Sequence, residues 1–250
     1  MVNGYSAGKN RLIIRYWLDH PLVVNTDLQY VKHIMIDGTF LIGRTGILAV
    51  MDASFHKIIA GRYGIAENSS FQVKRFIESL QKAGLYPASC VSDGNPQVIR
   101  VIKELWPNII MQRCLVHIQR QGLMWCRCFP KRTDSKLLRE LFLQVVSITN
   151  QDECTNFLIQ LYLWEKRYGS LIAMSKERGR VFSDIGRARS MLIKAIPDMF
   201  HYLDNPDILK STNGLEGYFS RLKAKYRQHR GLSKDRRFNY FQWYFTICRR

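Results

Sequence analysis

The sequence predicts an α/β protein: a mixed sheet flanked by helices, with an all-helical insertion ahead of the last helices. Three observations predict it. Short β-branched and aliphatic runs crowd residues 33–60, and two later runs of the same kind alternate with helical periods. Residues 130–207 carry helical periods with little strand signal. The resulting order, β-β-β-α-β-α-β and then helices, is not a regular strand–helix–strand repeat.

Each element has its own signal. "HIMIDGTFLI", "TGILAVMDAS" and "HKIIAGRYGI" read as adjacent strands of a meander, punctuated by Gly43-Arg44, Gly46, Ser54 and Gly61. "SSFQVKRFIESLQKAG" switches to a helical period, with Phe71, Phe76, Ile77 and Leu80 on one side. Ser69 or Ser70 caps its start and Gly84 ends it. "PASCVSDG" is a short strand closing on Asp93, and Pro96 suits the first turn of a helix that stops at Pro107. "NIIMQRC" is a further strand and "LVHIQRQGLMWC" begins a helix. "NGLEGYFSRLKAKYRQHRG" is helical, whereas the aromatics of "RRFNYFQWYFTICRR" leave helix or strand open. The expected organisation is a short segment 1–31, a first part of the main domain 32–129, a helical insertion 130–210 and a helical part 211–250.

At 250 residues the chain can bury a substantial core, and an apolar fraction of 46% is that of a globular protein. Lys and Arg number 38 against 20 acids, a formal charge of +18 that favours a polyanionic partner, nucleic acid first. No apolar stretch reaches the roughly 18 residues that span a bilayer, so a membrane partner is not expected. The N-terminal apolar run is broken by Arg15 and Asp19, which makes a poor signal peptide and points to the cytosol. Cys90, Cys114, Cys126, Cys128, Cys154 and Cys248 follow no disulfide-scaffold spacing and are expected to be free thiols.

Two strands are read as ending on an acid followed by glycine, Asp37-Gly38 and Asp93-Gly94. Strand ends that lie side by side form the crevice where α/β sheets bind ligands. Two carboxylates there repel each other, and a divalent cation with oxygen ligands is the simplest compensation. Glu216, between Gly214 and Gly217 in "STNGLEGYF", is the best third acid, and Asp52, ending "AVMD", is the main competitor. Each has a plainer reading, since Asp-Gly is a common turn and an acid suits a helix's first turn. Cys114 and His117 share a face if their segment is helical. They read as a structural pair, as a catalytic or DNA-contacting histidine, or as half of a zinc site with Cys126 and Cys128, whose spacing is one residue too tight. Basic residues run from Arg113 through Arg120, Arg127, Lys131, Arg132 and Lys136 to Arg139. A second run, from Arg221 and Lys223 to Arg236 and Arg237, holds one acid, Asp235, which favours phosphate contacts. Trp106, Trp125, Trp164 and Trp243 read as core or interface residues, and Asn213 as a cap for the Glu216 helix.

The ordered segments "IDGTF", "VSDGNPQVIRVIKELWPNIIMQRCLVHIQRQ" and "TNGLEGYFSRLK" resemble the catalytic core of bacterial Mutator-type insertion-sequence transposases, from about Lys32 to Arg237. The resemblance implies a ribonuclease-H-like fold in which Asp37, Asp93 and Glu216 match three metal-binding acids. It also implies two Mg²⁺ ions, with Mn²⁺ as substitute, and double-stranded DNA as partner. The chain would then be a homo-oligomer on DNA in the bacterial cytoplasm and nucleoid. His117 falls in the family's Cys-x-x-His pair, close to the triad. The implied reaction is metal-dependent cleavage of DNA at element ends, followed by strand transfer from a 3′-hydroxyl. The runner-up is a truncated or inactive derivative that binds DNA non-specifically or modulates a full-length transposase. It arises because the 31 residues ahead of Lys32 are too few for a helix-turn-helix module and linker. A cellular ribonuclease-H-like nuclease, such as a junction resolvase, would not be expected to carry the helical insertion or "TNGLEG".

Overall fold

The computed structural model describes residues 4–20, 27–41, 45–66, 68–174, 180–229 and 231–249. Gly43, Arg44 and Arg230 of the sequence reading therefore lie outside the described residues. The chain divides into two compact units, one of residues 1–88, 95–109 and 214–250 and one of residues 89–94 and 110–213. Strand pairing is mixed, antiparallel in the first unit and parallel in the second, and helices flank the strands in both.

The first unit opens with helix α1 (Ala7–Asp19) and is built on the strands β1 (His33–Phe40), β2 (Gly46–Asp52) and β3 (Lys57–Tyr63). They form an antiparallel meander with β2 in the middle, and every residue of β2 is buried, as its unbroken apolar run requires. Opposed residues of neighbouring strands point to one side of a sheet. Met35 faces Met51, Asp37 faces Ala49, and Ala49 faces Gly61, so these five share a face; Tyr63, two positions beyond Gly61, joins them. Ile34, Ile36, Leu48, Val50 and Arg62 belong to the other face.

Helices of the same unit cover the first face. In α11 (Lys234–Ile247), Phe241 stacks on Tyr63 with ring centroids 4.7 Å apart, and a Cβ on Gly61 would stand 2.6 Å from the ring of Phe245. Gly61 therefore lets α11 close on the sheet. The segment left open between helix and strand is a helix because Phe241 and Phe245, four apart, make one buried stripe. α1 lies along α11, where Trp243 Nε1 donates to the carbonyl of Trp17 at 2.9 Å and Arg236 pairs with Asp19 at 2.6 Å.

Helix α2 (Ser70–Lys82) is capped by the Ser69 hydroxyl, which accepts from Gln72 N–H, and buries Val73, Phe76, Ile77 and Leu80. Phe71, expected on that side, is 68% exposed. At about 100° per residue it falls opposite the stripe centred on Val73 and Ile77. Helix α3 (Pro96–Leu105), capped by Asn95 with Pro96 in its first turn, runs beside α2 and joins it through the Lys74–Glu104 ion pair.

In the second unit β4 (Ser89–Ser92) pairs in parallel with β5 (Ile110–Arg113). Then come α4 (Leu115–Cys126), α5 (Thr133–Gln144), α6 (Gln151–Trp164), α7 (Ser170–Met174), α8 (Arg180–Ala195) and α9 (His201–Asp204). Their core joins Leu115 and Ile118 of α4 to Leu138 and Phe142 of α5, Phe157 of α6 and Leu192 of α8. The helical insertion is thus packed on α4. Among the described residues all six cysteines are free, and no helix is long and apolar enough to cross a membrane.

Gly61→Val should lower unfolding stability by about 1–3 kcal/mol, the usual cost of overpacking. Urea denaturation checks it, as a lower midpoint at unchanged slope.

Candidate functional site

Asp37 was expected to end β1, but it stands fifth of eight residues in that strand. The strand continues because Gly38, Thr39 and Phe40 find partners in Leu48, Ile47 and Gly46. The carboxylate is therefore set within a paired strand and is only 6% exposed. Its Oδ1 accepts from the Gly38 N–H at 2.8 Å. Burying a carboxylate is costly unless partners or a cation compensate.

Helix α10 (Asn213–Tyr226) holds Glu216, half-buried, in its first turn. A Cβ on Gly214 would lie 3.2 Å from Met35 Cε, 3.3 Å from Met51 Sδ and 3.0 Å from His56 Nδ1. The start of α10 therefore rests on the Met35–Met51 row, on the face that carries Asp37 two positions along β1. Asn213 is the first residue of α10, not the cap expected from the sequence. Asp52, the competing acid, does end β2, but its Oδ1 accepts from the N–H groups of Ser54 and Phe55 at 2.8 and 3.2 Å. That carboxylate closes the turn into β3.

The second unit holds the other candidates. Asp93 lies just past β4 rather than inside it, half-buried, and its Oδ1 accepts from the Ser92 hydroxyl at 3.4 Å. Arg113, at the end of β5, donates from Nη2 to the Asp93 carbonyl at 3.3 Å. Gly94 is required twice over: its φ is +97°, and a Cβ there would stand 1.9 Å from Arg113 Nη2. Burial lowers the Arg113 pKa, against the opposing charges of Asp93, Asp198 and Cys114, and guanidinium remains a cation all the same. Sequence reasoning counted Arg113 only as one cation among many. No local signal singles it out, because its place comes from register: it pairs with Ser92, one residue before Asp93.

Cys114 caps α4 and is completely buried, with His117 half-buried in the first turn of that helix. Burial pushes the Cys114 thiol up, but hydrogen bonds from His117 and Thr212 outweigh it and hold the thiol below its ordinary value. Thr212 offers its backbone N–H at 3.3 Å and its hydroxyl at 3.5 Å. This buried threonine, which the sequence reading passed over, ties the residue before α10 to the start of α4. Cys126 is buried and Cys128 exposed. Among the described residues no group of three or more His, Cys, Asp or Glu side chains could hold a metal ion. Neither the zinc set of Cys114, His117, Cys126 and Cys128 nor the three acids forms such a group. A Mg²⁺ ion needs less from the protein, since one or two carboxylates complete its shell with waters and substrate phosphates. The donors of Asp37, Asp93 and Glu216 are all oxygens, the kind of ligand Mg²⁺ takes.

The chain belongs to the family described as Transposase, Mutator family, whose model matches residues 47–230, about three quarters of its length. Asp93 and Glu216 fall within the match and Asp37 lies ten residues ahead of it (47 − 37). No curated protein matches the chain significantly. Among solved structures it is similar to one titled "Crystal structure of catalytic core domain of BIV integrase in crystal form I". That similarity covers 78% of this chain and 99% of the other at 13% identity, and its TM-score of 0.27 is too low to carry weight.

Cys114→Ala removes the acceptor of Thr212 and should cost about 1–3 kcal/mol of stability. A thiol held below its unfolded value adds stability above that value and loses it as pH falls through the folded one. The gap between wild type and variant in urea titrations should therefore widen as pH rises toward the ordinary thiol value of 9.0.

Proposed function

We propose that the chain is a metal-dependent DNA transposase with a ribonuclease-H-like core, in which Asp37, Asp93 and Glu216 hold two Mg²⁺ ions, or Mn²⁺ in their place. The observation that carries it is the buried Asp37 carboxylate on the face where Gly214 of α10 packs, two residues ahead of Glu216. Membership of the Mutator family supports the reading. So does the element order, an antiparallel meander followed by alternating helices and a parallel strand pair.

The ions would neutralise charge on the entering and leaving oxygens of the phosphodiester. In this reading the carboxylates of Asp37, Asp93 and Glu216 would hold the ions between them. Gly38 N–H fixes one Asp37 oxygen, which orients the other lone pairs of the carboxylate. His117 acts near the triad, oriented by its hydrogen bond to Cys114. Arg113 keeps the Asp93–Gly94 turn in place from beneath.

Cleavage breaks one phosphorus–oxygen bond with water and leaves a 3′-hydroxyl. Transfer uses that hydroxyl oxygen to attack a phosphorus in a second strand, so one phosphodiester is broken and one is formed. Both steps need the same charge stabilisation. The substrate is double-stranded DNA at element ends, held by the exposed Arg221, Lys225 and Arg227 of the last helical stretch. The setting is the bacterial cytoplasm and nucleoid, with copies of the chain assembled on DNA.

Asp37→Asn, Asp93→Asn and Glu216→Gln should each reduce Mg²⁺-dependent cleavage to background while leaving most non-specific DNA binding intact. Separate cleavage and binding assays on folded variants check this, and cleavage retained by any one removes that residue from the catalytic set. Each phosphate contact should add about 0.9 to the slope of log affinity against log salt. Neutralising Arg221 or Arg227 should therefore flatten a salt titration by about one unit. DNA binding without any cleavage by the wild type would favour a non-catalytic derivative.

A further inference from the structure

A cleft of 640 Å³ opens in the first unit between α2, the outer edge of β3 and the start of α11. Both Arg62 and Tyr63 of β3 line the cleft, and Asp37 is not among its lining residues. Its walls carry three cations, Arg62, Arg75 and Lys234, against one acid, Asp235. The α2 wall sets the Arg75 guanidinium 5.8 Å from the ring of Phe71, and on the other side Arg62 lies 5.1 Å from the ring of Phe238. Phe71 is 68% exposed, although it belongs to a helix with a well-formed buried stripe. An exposed ring beside a guanidinium on one side of a positive cleft, with a half-buried ring beside a guanidinium on the other, is poor solvent-facing chemistry and good chemistry for one class of ligand.

We propose that this cleft binds single-stranded DNA, with bases stacked on Phe71 and Phe238 and phosphates on Arg62, Arg75 and Lys234. Charge complementarity selects a polyanion, and two rings lining the cleft select one with unpaired base faces, which a duplex does not offer. The size suits nucleotide units, being within the roughly 300–1,000 Å³ of ordinary ligand pockets. A second hollow of 320 Å³ along β3 shares Arg62 and lets a strand run on past the first. The naming of DNA rests on the transposase reading, in which cleavage at element ends frees unpaired strand. The cleft itself is independent of the three acids.

The test is fluorescence anisotropy in EDTA, with labelled oligothymidylate, an abasic strand of equal length and a blunt duplex. Working without metal keeps the result separate from the cleavage reading, which Asp37→Asn tests in its own assay. Phe71→Ala and Phe71→Leu, the latter keeping bulk without the ring, should each weaken oligothymidylate binding about 5- to 150-fold. Phe238→Ala should act in the same direction. Duplex affinity should change less than about twofold in all three, and the abasic strand should bind wild type as weakly as oligothymidylate binds the variants. Unchanged oligothymidylate affinity in both Phe71 variants overturns the proposal. So does an equal loss for duplex or abasic strand, which would mark a phosphate surface without stacking. Phe71 is exposed, so its variants are expected to fold, and matching circular dichroism melts check that.

Discussion

A carboxylate buried within a paired, apolar strand is the constraint around which the first unit is arranged. Asp37 cannot escape to solvent by ending its strand, since three further residues of β1 are held in register by β2. The residues in line with it across the meander are Ala49 and Gly61, the two smallest side chains available. That row lets α11 press its phenylalanines onto the sheet, and Gly214 lets the start of α10 do the same over Met35 and Met51. Gly214, two residues ahead of Glu216, thereby packs on the face that carries Asp37. A side chain at Gly61 would push α11 off the sheet, and one at Gly214 would press on Met35 and Met51.

The second unit answers the same problem with different means. A strand-end turn bearing an acid, Asp93-Gly94, is held by a buried guanidinium that a side chain at Gly94 would displace. A buried thiol, Cys114, gathers His117 and Thr212 and so fixes the start of α4 to the residue before α10. Hydrophobic contacts from α5 and α8 then hold α4, with α6 packed on α5. The helical insertion is therefore support for the segment that carries the Cys-x-x-His pair.

Much of this could be read from local pattern, and what could not was tertiary. The meander, α2, α3 and the parallel pair follow from periodicity and from caps such as Ser69 and Asn95. Asp37 looked like a strand end because Asp-Gly usually means a turn; cross-strand partners overrode that tendency. Phe71 looked like core by residue type, but helical phase put it outside. Asn213 looked like a cap, whereas the buried threonine before it turns its hydroxyl to Cys114. Arg113 could not be singled out, since its importance comes from pairing with Ser92 and from the space left by Gly94. The final aromatic segment was ambiguous until its i, i+4 phenylalanines met β3.

In the proposed function Asp37, Asp93 and Glu216 act as one cation-holding set on DNA. Counting bound Mn²⁺ by electron paramagnetic resonance, with and without duplex DNA, tests it without relying on turnover. The account predicts about two ions per chain when DNA is present, in keeping with a two-metal centre. It predicts fewer after Asp37→Asn, Asp93→Asn or Glu216→Gln. Equal Mn²⁺ binding by wild type and all three variants would contradict it.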